Sequence, residues 1–323
     1  MSRKLFLSLI IIIALAIIYL SLSFGTIFIN IFQLNNYRGI TGSILLLRSL
    51  EMLMAFTVGG ALAVAGVGYQ AVLRNILADP FILGVSGGAS IGSALAIISG
   101  IAVISIFAIP VAAFIGALAV LIIVILISRG NGIEYSNNIM LSGIIVGTVC
   151  TSILMFIIST SNIENLNSIT WWMLGSLEPS SIKLLFLVFL IVIVCTSVMF
   201  FYAKKINLLS LGNEMSYYLG ISPVKLTILI LLLTSIMTAS AVALSGIIGF
   251  VGLIIPHILR KYFGADHKKL IPLSLITGGL FLMICDLFAR SIISPQVIPI
   301  GVITAAIGGP FFIWALNRKS GKI

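Results

Sequence analysis

Charged residues are scarce in this chain of 323 residues: 8% are Asp, Glu, Lys or Arg, against 60% hydrophobic residues. The mean hydropathy is +1.28. A soluble domain carries about a quarter charged residues, and a chain of this composition could not cover its apolar surface with polar groups. The composition therefore excludes a soluble globular protein and predicts an all-α polytopic protein of the lipid bilayer.

Residues that carry catalysis are equally scarce. The chain has two histidines, His257 and His267, and eight Asp and Glu residues in total. An enzyme needs a nucleophile next to a base, or clustered metal ligands, and no such cluster occurs at ligand spacing. The sequence predicts no catalytic site, no metal site and no cofactor. Carboxylates deep in the apolar segments, which ion-coupled carriers use, are also few; Asp286 is spaced to pair with Arg290 one helical turn later.

Cysteine is represented three times, by Cys150, Cys195 and Cys285, each inside an apolar run. No two of them have the spacing of metal ligands or of a redox pair. We interpret them as small residues of the protein interior.

A nucleotide-binding loop is also missing. A Walker A loop has the pattern G-x-x-x-x-G-K-[ST], and the one Gly-Lys pair is Gly321-Lys322. The glycine-rich stretch "NILADPFILGVSGGASIG" (75–92) does not match the dinucleotide fingerprint either. Instead, Asp79 and Pro80 predict a helix start. Gly84, Gly88 and Gly92 recur every four residues from there, which is typical of a stripe of close helix packing in lipid.

Long apolar runs dominate what remains. About 20 apolar residues suffice for one crossing, and ten candidate spans follow one another as a single transmembrane domain covering 1–323. The span at 248–259 is too short to cross alone, and we expect it to stop at Pro256 and to lie inside protein. The ten runs are 5–28, 50–72, 80–99, 104–128, 138–159, 183–203, 224–245, 248–259, 270–290 and 298–316.

The basic residues are distributed asymmetrically over these spans. The chain has 18 Lys and Arg residues and a formal net charge of +10. Four of them fall on one side of the predicted membrane and the other 14, with both termini, on the opposite side. This is the positive-inside bias, so it predicts cytoplasmic termini and is no sign of nucleic-acid binding. The four are Arg38, Arg48, Lys183 and Arg290.

Five segments together resemble the FecCD family, the permease subunits of type II ABC importers for siderophores, haem and cobalamin. Each segment is weakly specific alone, but all five occur in order along nearly the whole chain. They are "GGALAVAGVGYQAVLRNILADPFILGVSGGASIG" (59–92), "WWMLGSLEPSS" (171–181), "LLSLGNEMSYYLGIS" (208–222), "GIIGFVGLIIPHILRKYFGADHKKLIP" (246–272) and "PIGVITAAIGGPFFIWAL" (299–316).

The resemblance implies an architecture and partners. A subunit of about ten helices is expected to form a homodimer in the cytoplasmic membrane around a central pathway. Two cytoplasmic ABC ATPase subunits and an external substrate-binding protein would complete the importer, and ATP hydrolysis in the ATPases would drive alternating access. The chain itself is then not an enzyme.

The resemblance also implies roles for particular residues. ATPase coupling falls on Leu211, Gly212, Asn213, Glu214 and Gly220, within the segment 208–222. Without the resemblance, the same segment would be interpreted as a solvated loop on the inner side.

A cytoplasmic gate is implied at Asn75 and Leu77, facing Ser136 and Asn137; the alternative for these four residues is helix-end capping. Docking of the binding protein is implied for Arg48 and Arg290, with interfacial snorkelling as the alternative.

The chain departs from the family pattern at three positions. The family's "R-L-P-R" is "RSLE" here, so Glu51 replaces the second arginine and reverses its charge. Ile76 takes the place of a proline, and Val297 that of an acidic residue. The charge reversal leaves open whether the binding protein docks at this position or carries a different charge.

The predicted function is the permease subunit of an ATP-driven importer of an iron–siderophore or related metal chelate. Cobalamin, haem and molybdate remain alternative substrates within the family. An ion-coupled secondary carrier is the alternative from another class.

Overall fold

A computed structural model describes residues 3–25, 27–30, 40–128 and 133–320. These residues contain helices and no strand, as predicted. In chain order the helices are α1 (Arg3–Ser23), α2 (Ile40–Val72), α3 (Val85–Ile98), α4 (Ile101–Ile104), α5 (Ala108–Ile127), α6 (Ile133–Ser159), α7 (Ile163–Leu174), α8 (Ile182–Phe201), α9 (Ala203–Leu209), α10 (Asn213–Tyr218), α11 (Pro223–Ser245), α12 (Val251–Phe263), α13 (His267–Ser291) and α14 (Ile300–Ser320).

Each of the ten predicted spans overlaps a helix of this set. Six helices, namely α2, α5, α6, α8, α11 and α13, are long and apolar enough to cross a membrane in their described residues. The other four that overlap predicted spans are α1, α3, α12 and α14. The protein is therefore a multi-pass membrane protein, while the total of ten crossings and the side on which the termini lie stay predictions.

Helix α2 is the centre of the bundle. Its most apolar stretch is 78% buried, whereas that of the peripheral α6 is 22% buried. Glycines let its backbone approach two neighbours: a Cβ on Gly59 would collide with the carbonyl oxygen of Gly278 in α13, and one on Gly66 with that of Gly252 in α12. In lipid, such close backbone contact is a main source of helix–helix attraction.

The start of α3 differs from the prediction. The helix begins at Val85 rather than at Pro80, and its N-cap is Gly84 with φ 73°. The side chain of Asp79 instead accepts a hydrogen bond from the backbone N–H of Phe81, at 2.8 Å. This local turn competes with helix formation, because a short acceptor side chain can bond the backbone two residues on. Asp79 therefore caps a turn and not α3.

The predicted glycine stripe is correspondingly shorter. Gly88 and Gly92 pack against α5, where an added Cβ would collide with the carbonyl oxygens of Gly116 and Ala112. Gly84 lies outside the helix, next to Gly147 of α6, in a left-handed conformation that favours glycine. Gly88 and Gly92 thus lie in close contact with α5, and Gly84 is a turn residue.

The short helix α12 is broken from α11, as predicted, but it does not stop at Pro256. It continues through Pro256 to Phe263. A proline lacks the N–H that would bond the carbonyl four residues earlier, which here belongs to Gly252. Gln70 of α2 supplies the missing donor, because its Nε2 lies 3.1 Å from the Gly252 carbonyl oxygen. A side chain of the central helix therefore makes an internal proline tolerable.

We expect Gln70→Leu to lower the thermal stability of the detergent-solubilised protein. The variant leaves the buried Gly252 carbonyl without a donor, which costs about 1–3 kcal/mol. Thermal unfolding followed by circular dichroism measures the change. Gln296→Leu, the same substitution at an exposed position, is the matched control. Equal midpoints for the two variants would show that the Gln70 bond adds nothing.

Candidate functional site

Polar residues collect at two opposite ends of α13. The first, which we call the tryptophan end, comprises Trp171, Trp172 and Glu178 together with the C-terminal turn of α13. The second, the basic end, comprises α9, α10 and the turn 264–266 that precedes α13. Arg290 lies at the tryptophan end, and the described part of the segment 208–222 lies at the basic end.

At the tryptophan end, Arg290 is the hub of a buried ion cluster. Its Nη2 lies 2.5 Å from Asp286 Oδ2 on the same helix, confirming the predicted pair. Its Nη1 lies 2.9 Å from Glu51 Oε2 of α2, and Nη2 also donates to Ser21 Oγ of α1 at 3.1 Å. The Arg290 side chain is 8% exposed. The cluster ties three helices together, and Glu51 lies well inside α2, which begins at Ile40 although the predicted span began at residue 50.

Arg48, one turn before Glu51, is buried in a different way. Its guanidinium donates to the backbone carbonyls of Leu22 at 2.8 Å, Ser23 at 3.2 Å and Ile27 at 2.5 Å. These carbonyls lie at the C-terminal end of α1 and just beyond it, where helix carbonyls lack intrahelical donors. Arg48 thus caps the end of α1.

The predicted docking arginines are therefore both engaged within the chain. Arg48 is 4% exposed and Arg290 is 6% exposed. Docking of a binding protein through either guanidinium would require these internal contacts to be exchanged. The docking role stays a prediction, and the structure adds Glu51 as a partner that the sequence pattern did not connect to Arg290.

Two cavities open at the tryptophan end. The larger, of about 360 Å³, is lined by Glu51, Trp172, Glu178, Asp286 and Arg290, among others. The smaller, of about 280 Å³, shares Trp172 and Glu178 with it and reaches Ser245 and Gly246 at the break between α11 and α12. Mostly apolar walls that carry a few charged side chains therefore extend from this end toward the broken helix.

At the basic end, α10 presents an apolar surface to solvent. Leu211, Met215, Tyr217, Tyr218 and Leu219 are all more than half exposed. Gly212 and Gly220 flank α10 with positive φ angles of 126° and 78°. The predicted coupling segment is thus a short protruding helix between two turns, while the side chains of Asn213 and Glu214 lie outside the described residues.

Helix α9 supports this protruding helix. Ser216 of α10 is fully buried, and its hydroxyl donates to the carbonyls of Leu208 at 2.9 Å and Gly212 at 2.6 Å. Ala203, Ile206 and Leu209 turn the apolar side of α9 into the core. The position of α10 is therefore set by α9.

One side chain of α9 is bonded to the start of α13. Asn207 Nδ2 donates to Asp266 Oδ1 at 2.9 Å, and Asn207 Oδ1 accepts from the backbone N–H of His267 at 2.9 Å. Asp266 is also the N-cap of α13, accepting from the N–H of Lys268 at 3.1 Å. The hydrogen bond from Asn207 holds the pKa of the Asp266 carboxyl below its usual value. No feature of the sequence pattern connected these residues.

Of the predicted gate residues, the structure shows a direct contact between Asn75 and Leu77. Asn75 Oδ1 accepts from the backbone N–H of Leu77 at 2.9 Å, which is a local turn, and Asn75 Nδ2 lies 4.0 Å from Met140 Sδ in the first half of α6. Leu77 and Asn137 are exposed. The side chain of Ser136 lies outside the described residues. The structure thus brings the 75–77 turn to α6, and the gate itself stays a prediction.

We expect Arg290→Gln to destabilise the protein strongly. The substitution leaves the carboxylates of Glu51 and Asp286, which are 17% and 7% exposed, without their guanidinium. Breaking a buried pair from one side costs about 3–5 kcal/mol. Thermal unfolding in detergent measures the loss, with Lys183→Gln as an exposed control at the same end.

The neutral combination Glu51→Gln, Asp286→Asn and Arg290→Gln separates charge from shape. Relative to Arg290→Gln alone, it changes only the two carboxyl groups, each to an amide of the same shape, so we expect it to recover much of the lost stability. A combination no more stable than Arg290→Gln alone would contradict the electrostatic account.

Comparison with known proteins gives a consistent result. The model of the FecCD transport family matches residues 6–318. The hemin transport system permease HmuU of Yersinia pestis is 34% identical over 277 residues, covering 84% of this chain and 82% of that protein. The cobalamin import system permease BtuC of Halobacterium salinarum is 37% identical over 274 residues, covering 84% of this chain and 73% of that protein.

A solved structure extends the similarity to the fold. It is described as a metal-chelate type ABC transporter in an inward-facing conformation, and it matches with a TM-score of 0.84 and 29% identity. The match covers 96% of this chain and 99% of that chain. The similarity therefore extends over nearly the whole chain, well beyond the five sequence motifs.

Proposed function

The chain belongs to the FecCD transport family and is a permease of the metal-chelate type of ABC transporter, and from this premise we propose that it imports an iron–siderophore or a related metal chelate. The observation that carries the proposal is the match of nearly the whole chain to a metal-chelate type transporter. The hemin permease among its relatives supports an iron-containing substrate.

The protein is not itself an enzyme, as is general for ABC permease subunits. ATP would be hydrolysed by two separate ATPase subunits in the cytoplasm. The absence of a Walker A string from the sequence agrees with this division of labour. The ATPase subunits would contact the segment 208–222, and the apolar surface of α10 supports that assignment, because an exposed Leu, Met and Tyr surface is typical of a protein contact.

We propose further that two copies form the transport unit in the cytoplasmic membrane. Each copy would have ten crossings and cytoplasmic termini. Helix α6 supports this arrangement, because its hydropathy is high and only 22% of its most apolar stretch is buried within one copy. Its free surface is then divided between lipid and a second copy around the pathway.

Transport would proceed by alternating access between the two ends of the bundle. The cavities at the tryptophan end would receive the substrate from an external binding protein, with Arg48 and Arg290 near the docking surface. The 75–77 turn and the start of α6 would close the opposite end through Asn75, Leu77, Ser136 and Asn137. The break between α11 and α12 lies beside the smaller cavity, where irregular backbone in a membrane is tolerated.

Two alternatives remain to be separated by experiment. Within the family, cobalamin, haem and molybdate are alternative substrates, and the cobalamin and hemin permeases among the relatives support the first two of these. Outside it, an ion-coupled carrier would work without ATPase subunits. Asp286 and Glu51, the carboxylates such a carrier would need, are already paired with Arg290.

Reconstitution tests the proposal directly. We expect proteoliposomes that contain the permease, the ATPase and binding protein of the same transport system to accumulate radioiron-labelled ferrichrome only when ATP is supplied. Hemin and cobalamin serve as the competing substrates in the same assay. Accumulation by the permease alone, driven by a proton or sodium gradient, would overturn the importer assignment in favour of a carrier.

We expect Tyr217→Asp to prevent assembly with the ATPase subunits while leaving the permease folded. Tyr217 is 72% exposed, so the new carboxylate is solvated in the isolated permease but desolvated in the contact. Co-purification of the ATPase and thermal unfolding of the permease measure the two effects. Ile163→Asp, at a residue of the tryptophan end that is 78% exposed, is the matched control. Normal ATPase assembly of the Tyr217 variant would exclude α10 as the contact.

A further inference from the structure

The connection between α9 and α13 uses both the donor and the acceptor of the Asn207 side-chain amide. The backbone N–H of His267 can only donate, so the atom of residue 207 that meets it must be an acceptor. The Asp266 carboxylate, whose pKa lies below its usual value, only accepts, so the atom facing it must be a donor. Asparagine supplies both at 2.9 Å, which also fixes the orientation of its amide. A contact between Asn207 Oδ1 and His267 Nδ1 at 2.6 Å completes the junction.

The junction lies between two rigid parts of the molecule. On one side, the Ser216 hydroxyl of α10 is hydrogen-bonded to the carbonyl of Leu208 in α9. On the other side, α13 is one helix from His267 to Ser291, with Pro272 inside it. Residue 207 is therefore the described polar side chain through which α9 is hydrogen-bonded to α13.

Helix α13 extends this junction to the far end of the bundle. It lies against α2 at Gly59 and Gly278, and its last turn carries Asp286 and Arg290 in the cluster with Glu51. A displacement of its first turn is therefore delivered along a single packed helix to the cavities of the tryptophan end.

We propose that Asn207 is a positioning residue that makes α9 and α10 move as one body with α13, so that a displacement of α10 reaches the tryptophan end. The inference rests on the proposed function, because it takes α10 to be the surface on which an ATPase subunit acts. Asn207 itself touches neither substrate nor nucleotide in this assignment. Its contribution is mechanical: without the amide, α10 could be displaced while α13 stays in place.

Asn207→Asp is the sharpest test of the junction. The variant has the same shape and keeps an acceptor for His267, but it replaces the donor toward Asp266 with a second carboxylate. We expect hydrogen–deuterium exchange at α10 to speed up about tenfold in the isolated permease in lipid nanodiscs, the effect of losing a charge-assisted hydrogen bond. Asn167→Asp, the same change at an exposed position, is the control. Unchanged exchange at α10 would overturn the proposal.

A second substitution should restore the junction. Asp266→Asn in the Asn207→Asp background removes the repulsion and returns a donor to the pair, while asparagine remains a good N-cap for α13. We expect exchange at α10 to return toward that of the unmodified protein. Failure of this rescue would show that residue 207 acts through something other than the bond to Asp266.

The assembled transporter distinguishes a mechanical role from a merely structural one. Ile292→Cys introduces an exposed thiol just beyond α13, whereas the native Cys150, Cys195 and Cys285 are buried. In the complex with its ATPase subunits, we expect ATP to change the rate at which this thiol reacts with a membrane-impermeant maleimide. With Asn207→Asp added, ATP hydrolysis should continue and the response of the thiol should be lost.

The outcomes distinguish the role of Asn207 from the proposed function of the protein. A thiol that still responds to ATP in the Asn207→Asp complex overturns the inference and leaves the proposed function intact. A parallel loss of ATP hydrolysis and of the thiol response also overturns it, because residue 207 then only supports the fold. If the unmodified permease does not assemble with an ATPase, the proposed function fails and the inference falls with it.

Discussion

The backbone of α2 lies in direct contact with the backbones of α12 and α13, and the arrangement of the polar residues depends on this contact. In lipid there is no hydrophobic force to bring helices together, so close packing has to supply the attraction. Gly59 against Gly278 and Gly66 against Gly252 leave no room for a Cβ at either contact. With α13 held along α2, its two ends are placed where α9 and Glu51 meet them.

Most polar side chains in the apolar segments serve backbone and side-chain partners within the chain. Gln70 supplies the hydrogen bond that Pro256 cannot make, Arg48 caps the end of α1, and Arg290 forms ion pairs with two carboxylates. An unsatisfied polar group costs several kcal/mol in a bilayer, so these pairings stabilise the bundle. They also suit a permease whose energy comes from other subunits, since Glu51 and Asp286 are already paired with Arg290 within the chain.

Local patterns predicted the elements well and their ends less well. The apolar runs predicted every long helix, and the short run at 248–259 with Pro256 predicted that α12 would be short and separate. Two predictions at helix ends were wrong, because in each case another hydrogen bond changed where the helix begins or ends. The Asp79 side chain favours a turn over a helix start, and Pro256 is tolerated inside α12 because a donor arrives from α2. The strength of neither hydrogen bond can be judged without knowing which segments are neighbours.

The sequence alone determined the class and the family of this protein. Its apolar runs and the bias of its basic residues require a membrane, and the order of its motifs identified the FecCD family, because both kinds of signal are local and repeat along the chain. Only the tertiary structure decided which polar residues meet. Glu51 pairs with Arg290 across 239 positions and Asn207 with His267 across 60. The physical reason is that helical periodicity specifies which face of a helix a residue lies on, whereas packing between helices determines which residue of another helix it contacts.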